Sequence, residues 1–281
     1  MRSVDDFKPK KDFLICFDSD GCVMNTMEIK HSLCFAPCMI HQWNLAHLSE
    51  EITERWKEIN LYTITRGINR YRGLALALTE IDRKYGQIKG VDKLREWAES
   101  SPELSDRAIE KEIQRHPDQI IFQKAREWSR EVNRAVDALP DEKKLPFPFS
   151  REALELAHMR ADIAIVSAAN PDAVVEEWET QGFLWYVDVI MSQRDGKKPI
   201  CIKKLCDRGY EKSRVLMCGD SEGDLLAARD NGVYFYPILA RREEESFRRF
   251  ISEGMKKFFA GEYGGEYQER LIAEFYNNLG E

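Results

Sequence analysis

A chain of 281 residues, 43% hydrophobic and 11% aromatic, can bury the core of one large domain or two ordinary ones, which excludes disorder as a class. Its 42 Lys and Arg against 49 Asp and Glu leave a formal charge of −7, the wrong sign for a general nucleic-acid binder, so no nucleic-acid partner is expected. No run approaches the roughly 18 apolar residues that span a bilayer, and the seven cysteines form no CxxC pair, so the expectation is a cytoplasmic protein with reduced thiols and no membrane partner.

In chain order, the first element is the continuous apolar run Phe13–Phe17, as expected of a strand buried on both faces of a parallel sheet. It stops abruptly at Asp18-Ser19-Asp20-Gly21. About 140 residues then pass with helical spacing and almost no strand signal, in stretches such as Ser49–Leu61, Tyr71–Tyr85, Val91–Glu99 and Pro117–Leu139, the last with Pro at its expected first turn. A block of this length is too long for a loop inside a compact domain, so it reads as an inserted helical domain. Pro140, Pro146 and Pro148 suit the return linker, and Ser150 is placed to cap the next helix.

Short apolar runs then recur at Ile163–Val166, Val187–Met191, Val215–Cys218 and Val233–Tyr236, separated by segments with helical spacing. This alternation predicts an α/β fold with a doubly wound parallel sheet. The expected division is an α/β core domain of residues 1–26 and 149–281 and a helical domain of residues 27–148. Two further helical stretches, Glu243–Phe259 and Glu266–Leu279, close the chain without a chemical motif.

Ligands bind at the carboxyl ends of the strands in open parallel sheets. Those ends supply, in order, Asp18 and Asp20, then Ser167, then Lys198, then Asp220 and Asp224. Any one of these is ordinarily a turn residue, a helix cap or a solvated charge. Their order is what carries information. Asp18-x-Asp20-Gly21-x-x-x-x-Thr26, Ser167, Lys198-Pro199 and Gly219-Asp220-Ser221-x-x-Asp224 resemble the four motifs of the haloacid dehalogenase superfamily.

That resemblance implies a Rossmann-like core with an inserted cap, and a Mg²⁺-dependent phosphatase acting on a small phosphorylated metabolite. Phosphoryl transfer from a dianion to a carboxylate requires the repulsion between them to be neutralised, and magnesium suits an oxygen cage with few protein ligands. Asp18 is then the nucleophile that forms an aspartyl phosphate, and Asp20 the acid and later the base. Asp18, Asp20 through its carbonyl, and Asp220 would hold the metal, with Asp224 holding Lys198 or a metal-bound water. Ser167, the N–H of Ala168, Asn170 and Lys198 would bind phosphate, Lys197 being the neighbouring alternative to Lys198. Thr26 would bond backbone near the nucleophile or cap the first helix of the insert.

Within the insert, Thr65-Arg66-Gly67-Ile68-Asn69-Arg70 is similar to the substrate loop of β-phosphoglucomutase-like members, with Asn69 where those have Ser. The similarity implies that Arg66 or Arg70 grips the non-reacting end of the substrate. It also keeps a phosphomutase as the alternative reaction, since the same catalytic residues serve both. A non-catalytic binding protein on this fold would be expected to have lost Asp18, Asp20 or Lys198.

Overall fold

The computed structural model describes residues 4–280, which divide into two compact units, residues 4–27 with 141–280 and residues 28–140. The first is α/β. Its five parallel strands are β1 (Phe13–Phe17), β2 (Ala161–Val166), β3 (Val189–Met191), β4 (Val215–Gly219) and β5 (Tyr234–Pro237), in the order β3-β2-β1-β4-β5. β1 is central: Ile15 sits opposite Ile163 of β2 on one side and Leu216 of β4 on the other. The chain winds outward from β1 through β2 and β3, then returns to its other side as β4 and β5. The crevice beyond the carboxyl ends of β1 and β4 is therefore the topological switch point, where such sheets bind ligands.

Alternate residues of the central strands face opposite helical layers. Ile15, Phe17, Leu216 and Cys218 pack with Ala153, Leu154 and Trp178 and with a run of C-terminal aromatics, Phe247, Phe250, Phe258 and Tyr263. The C-terminal helices thus complete the core: the side chain of Gln268 accepts the Phe235 N–H at 2.9 Å and Tyr263 Oη donates to the Phe235 carbonyl at 2.8 Å, occupying the outer edge of β5. The expected helix Glu243–Phe259 runs as Glu243–Arg249, a π-helical turn Phe250–Gly254, and Met255–Ala260.

Residues 141–148, expected in the helical domain, belong to the α/β unit because they pair with its opening loop. Phe147 N–H donates to Val23 O at 2.9 Å and Asn25 N–H to Leu145 O at 2.8 Å, around an antiparallel bridge of Met24 with Pro146. Ser150 is not the cap expected of it. It is the first residue of the helix Ser150–His158, its hydroxyl donates to Phe147 O at 2.7 Å, and Phe149, at φ 65°, occupies the capping position.

The second unit is all helical around the buried rings of Trp56, Tyr71, Trp97 and Trp128. Its helix Arg70–Tyr85 starts where Asn69 accepts the Tyr71 N–H at 2.9 Å and stops at Gly86 in the left-handed conformation. The helix expected from Pro117 begins instead at Ile120, and a further helix, Asp106–Arg115, precedes it. Ser105 caps that helix through the Ala108 N–H at 3.1 Å. Among the described residues no helix is long and apolar enough to cross a membrane.

Candidate active site

β1 ends in a turn built on Ser19. Its carbonyl accepts the N–H groups of Cys22, Val23 and Met24 at 3.3, 3.0 and 2.9 Å, and Gly21 supplies the left-handed residue, φ 80°, that this close return requires. The turn leaves Asp18 at the strand end, buried, with its N–H continuing the sheet to Cys218 O at 3.0 Å. Asp20 sits two residues beyond, half-buried.

Lys198 reaches the same place from the start of the helix Lys198–Cys206, whose Pro199 fits the first turn. Its Nζ lies 2.7 Å from Asp18 Oδ2 and 2.6 Å from Asp224 Oδ1. Lys197 is exposed, so the structure separates the two neighbouring lysines. Asp224 is fully buried in the first turn of the helix Glu222–Asn231, where its Oδ2 accepts the Ser221 hydroxyl at 2.7 Å and N–H at 3.2 Å in a capping box. The motif glycine before it has a spatial reason: a Cβ on Gly219 would lie 2.4 Å from both Cβ and Cγ of Asp224.

Asp18, Asp220 and Asp224 are all buried, and one carboxylate oxygen from each lies within 4.8 Å of the others. Burial pushes the Asp18 carboxyl well above its usual range; Lys198 opposes this, and the neighbouring carboxylates of Asp224 and Asp220 add to it. Burial acts against the Lys198 ammonium, but Asp18 and Asp224 outweigh it and hold Lys198 protonated.

Thr26 has neither of its expected roles: its buried hydroxyl donates to Asp20 Oδ1 and so orients the second carboxylate of the motif. Ser167 is buried at the end of β2, its N–H tied to Met191 O at 3.0 Å and its Oγ accepting the Ala169 N–H at 3.1 Å. Its own O–H is left to donate. Ala168 is exposed, and Asn170 caps the helix Pro171–Thr180 through the Asp172 N–H at 3.2 Å.

The two arginines expected at a substrate are both drawn inward within the helical unit. Arg66 is buried and its Nη1 donates to Leu61 O at 2.7 Å, joining Thr63 and Thr65 in satisfying carbonyls at the end of the preceding helix. Arg70 donates through Nη1 to Asn133 Oδ1 at 2.7 Å and Ser129 Oγ at 3.1 Å, and its guanidinium stands 5.2 Å from the Phe35 ring centre. Its hydrogen bonds go to neutral oxygens.

A family model for haloacid dehalogenase-like hydrolases matches residues 81–238, more than half of the chain. The chain belongs to the haloacid dehalogenase-like hydrolase family. The matched residues of this haloacid dehalogenase-like hydrolase include Ser167, Lys198, Asp220 and Asp224; Asp18 and Asp20 lie before them, and the ion pair to Lys198 joins Asp18 to the matched part. Among solved structures, a candidate phosphatase from Clostridium difficile superposes with a TM-score of 0.50 at 13% identity, covering 81% of this chain and 85% of that one. The HAD-hydrolase YfnB from Bacillus subtilis, bound to magnesium, gives 0.49 at 13% identity over 80% and 86%. A haloacid dehalogenase-like protein from Streptococcus pneumoniae gives 0.46 at 12% over 84% and 90%. These similarities concern the fold. No curated protein matches the sequence.

Proposed function

We propose that this hydrolase is a magnesium-dependent phosphatase that cleaves a small phosphorylated metabolite through an aspartyl phosphate on Asp18. The observation that carries the reading is the buried Lys198 ammonium held between Asp18 and Asp224 beside Asp220, with Asp20 two residues from the nucleophile. A dehalogenase attacking carbon needs no acid there, whereas a phosphate ester's leaving oxygen does.

Three buried carboxylates against one ammonium leave the cluster with excess negative charge, and burial with carboxylate crowding works against Asp18 as an anion. An all-oxygen donor set of this charge fits Mg²⁺. Asp18 and Asp220, with the main-chain carbonyl of Asp20, would hold it, and Asp224, bonded to Lys198 and Ser221, would hold Lys198 in place beside it. When bound, the ion offsets the repulsion between the carboxylates and the incoming phosphate.

The protein's own groups perform the rest. The Ser167 hydroxyl and the Ala168 N–H donate to phosphate oxygens, and Lys198 spans phosphate and nucleophile. An Asp18 oxygen attacks phosphorus as the bond to the leaving oxygen breaks, and Asp20 supplies that oxygen's proton. Asp20, now ionised, takes a proton from the water that attacks the aspartyl phosphate, releasing phosphate and restoring Asp18.

A panel of phosphorylated metabolites, assayed for phosphate release with Mg²⁺ and with excess chelator, tests this. Release with Mg²⁺ alone, abolished by Asp18→Asn in a protein of unchanged circular dichroism, is expected. Full turnover in chelator would remove the metal; an isomerised product without free phosphate would select a mutase.

A further inference from the structure

The helix Pro171–Thr180 contacts the candidate site at its beginning and near its end. Its cap, Asn170, closes the turn that follows Ser167. Two turns later, the fully buried Trp178 donates its indole N–H to Ser19 Oγ at 2.9 Å, across 159 residues of sequence. Just past its last turn, Gln181 donates to Lys144 O at 3.1 Å, so the same helix also holds the returning linker.

Ser19 stands between the two aspartates, and they are anchored differently. Asp18 is fixed by the sheet through its N–H and by Lys198 through its side chain, with the adjacent Ser19 N–H donating to its Oδ1 at 2.8 Å. Asp20 lies outside the ladder. It moves with the turn whose N–H groups converge on the Ser19 carbonyl, and that turn is tied to the core by side-chain bonds from Trp178 to Ser19 and, through a weaker sulfur donor, from Cys22 Sγ to Cys218 O at 3.5 Å. Trp178 also packs against Phe183, with ring centres 5.8 Å apart, so its own position is set independently of the turn.

We propose that Trp178 is a positioning residue for Asp20: its indole N–H, acting through the Ser19 hydroxyl, holds the turn that presents Asp20 to the leaving oxygen. The proposal rests on the reading of Asp18 as nucleophile and Asp20 as acid. Loss of the bond lets Asp20 drift while Asp18 stays seated, and misplacement on the order of 1 Å costs a proton-transfer step about tenfold or more.

The test compares Trp178→Phe, Ser19→Ala and the double variant on two substrates, p-nitrophenyl phosphate and the primary alkyl phosphate that the wild type turns over fastest. Nitrophenolate departs without a proton and an alkoxide does not, so kcat/KM, which reports the steps through leaving-group departure, separates the acid from the nucleophile. Each single variant is expected to lose about tenfold in kcat/KM on the alkyl phosphate and less than twofold on the nitrophenyl ester, with the double variant no worse than the worse single one. Equal losses on both substrates, no loss on the alkyl phosphate, or multiplicative losses in the double variant would overturn the proposal. Ser19→Ala removes one oxygen and little packing, so it decides the matter alone if Trp178→Phe fails to fold. A wild type inactive on both substrates would remove the phosphatase reading and this inference with it; an active wild type with parallel losses would remove the inference alone.

Discussion

Gly219 and Asp224 are in closest approach through a space that admits no side chain at the glycine: an added Cβ would sit 2.4 Å from the Asp224 Cβ and Cγ. These Asp224 atoms are near its own backbone, so relief requires the helix Glu222–Asn231 to shift or Asp224 to turn away from Lys198. Gly219→Ala should therefore cost about 1–3 kcal/mol of stability and lower kcat on the order of a hundredfold. Urea unfolding and steady-state assays check both. A variant with wild-type kcat would mean that Asp224 does not need its present position.

The pairing of Lys198 with Asp18 and Asp224 has a pH signature when no divalent cation is present. Lys198→Met leaves two buried carboxylates facing each other, which should cost about 3–5 kcal/mol at neutral pH. Burial already raises the folded-state value of Asp18, and the substitution raises it further by removing Lys198. A group whose pKa is higher folded than unfolded gains stability as pH falls, so the variant should recover part of the loss between pH 7 and pH 5. Thermal melts in chelator across that range measure it; a deficit independent of pH would argue against ionised carboxylates in the cluster.

How much of this was legible in sequence depended on distance along the chain. Asp18-x-Asp20 and Gly219-Asp220-x-x-x-Asp224 could be read because each is local and follows a continuous apolar run that fixes a strand end. The strand order was legible only as a class, since nothing in Ile163–Val166 or Val215–Cys218 says which side of β1 each takes. The helix Asp106–Arg115 escaped because it buries only Ala108 and Ile109, too few to set a period, although Ser105 at its cap was available as a signal. Pro117 misled for a related reason: it sits in the turn between two helices rather than in the first turn of one. Thr26 meets Asp20 only because Gly21 turns the chain back, and Trp178 meets Ser19 only in three dimensions.

At the opposite end of the sheet, the buried Asp188 accepts the Lys10 ammonium at 2.5 Å and the Ile163 N–H at 3.0 Å. Burial alone would raise its carboxyl; the Lys10 and Ile163 bonds outweigh it, and the net shift is downward. A carboxyl with a lower folded pKa stabilises above its unfolded value of about 3.9, and that stability is lost as pH falls through the folded value. Asp188→Asn should cost on the order of 1–2 kcal/mol at pH 7 and reduce the acid lability of the protein below about pH 4. Melting temperatures from pH 7 to pH 2.5 would show the two curves converging; parallel curves would detach Asp188 from the acid limb.

The double duty proposed for Asp20 makes its two steps separable. A nitrophenolate needs no proton to leave, so Asp20→Asn should still transfer phosphate from p-nitrophenyl phosphate to Asp18, whose contacts to Lys198 and the sheet do not involve Asp20. Hydrolysis has no such rescue, because the attacking water must lose a proton, and asparagine cannot take it. The phosphoenzyme should accumulate. Rapid mixing should show a nitrophenolate burst of up to one equivalent per chain followed by slow turnover, and acid quenching should recover phosphate bound to protein. With an alkyl phosphate the burst should vanish, since the leaving group needs the missing acid. Thr26→Val removes the hydroxyl that orients Asp20 without removing the carboxylate, so it should show the same asymmetry in weaker form. Discharge of the phosphoenzyme at the wild-type rate in Asp20→Asn would remove Asp20 from the base role, leaving Asp224 acting through water as the next candidate.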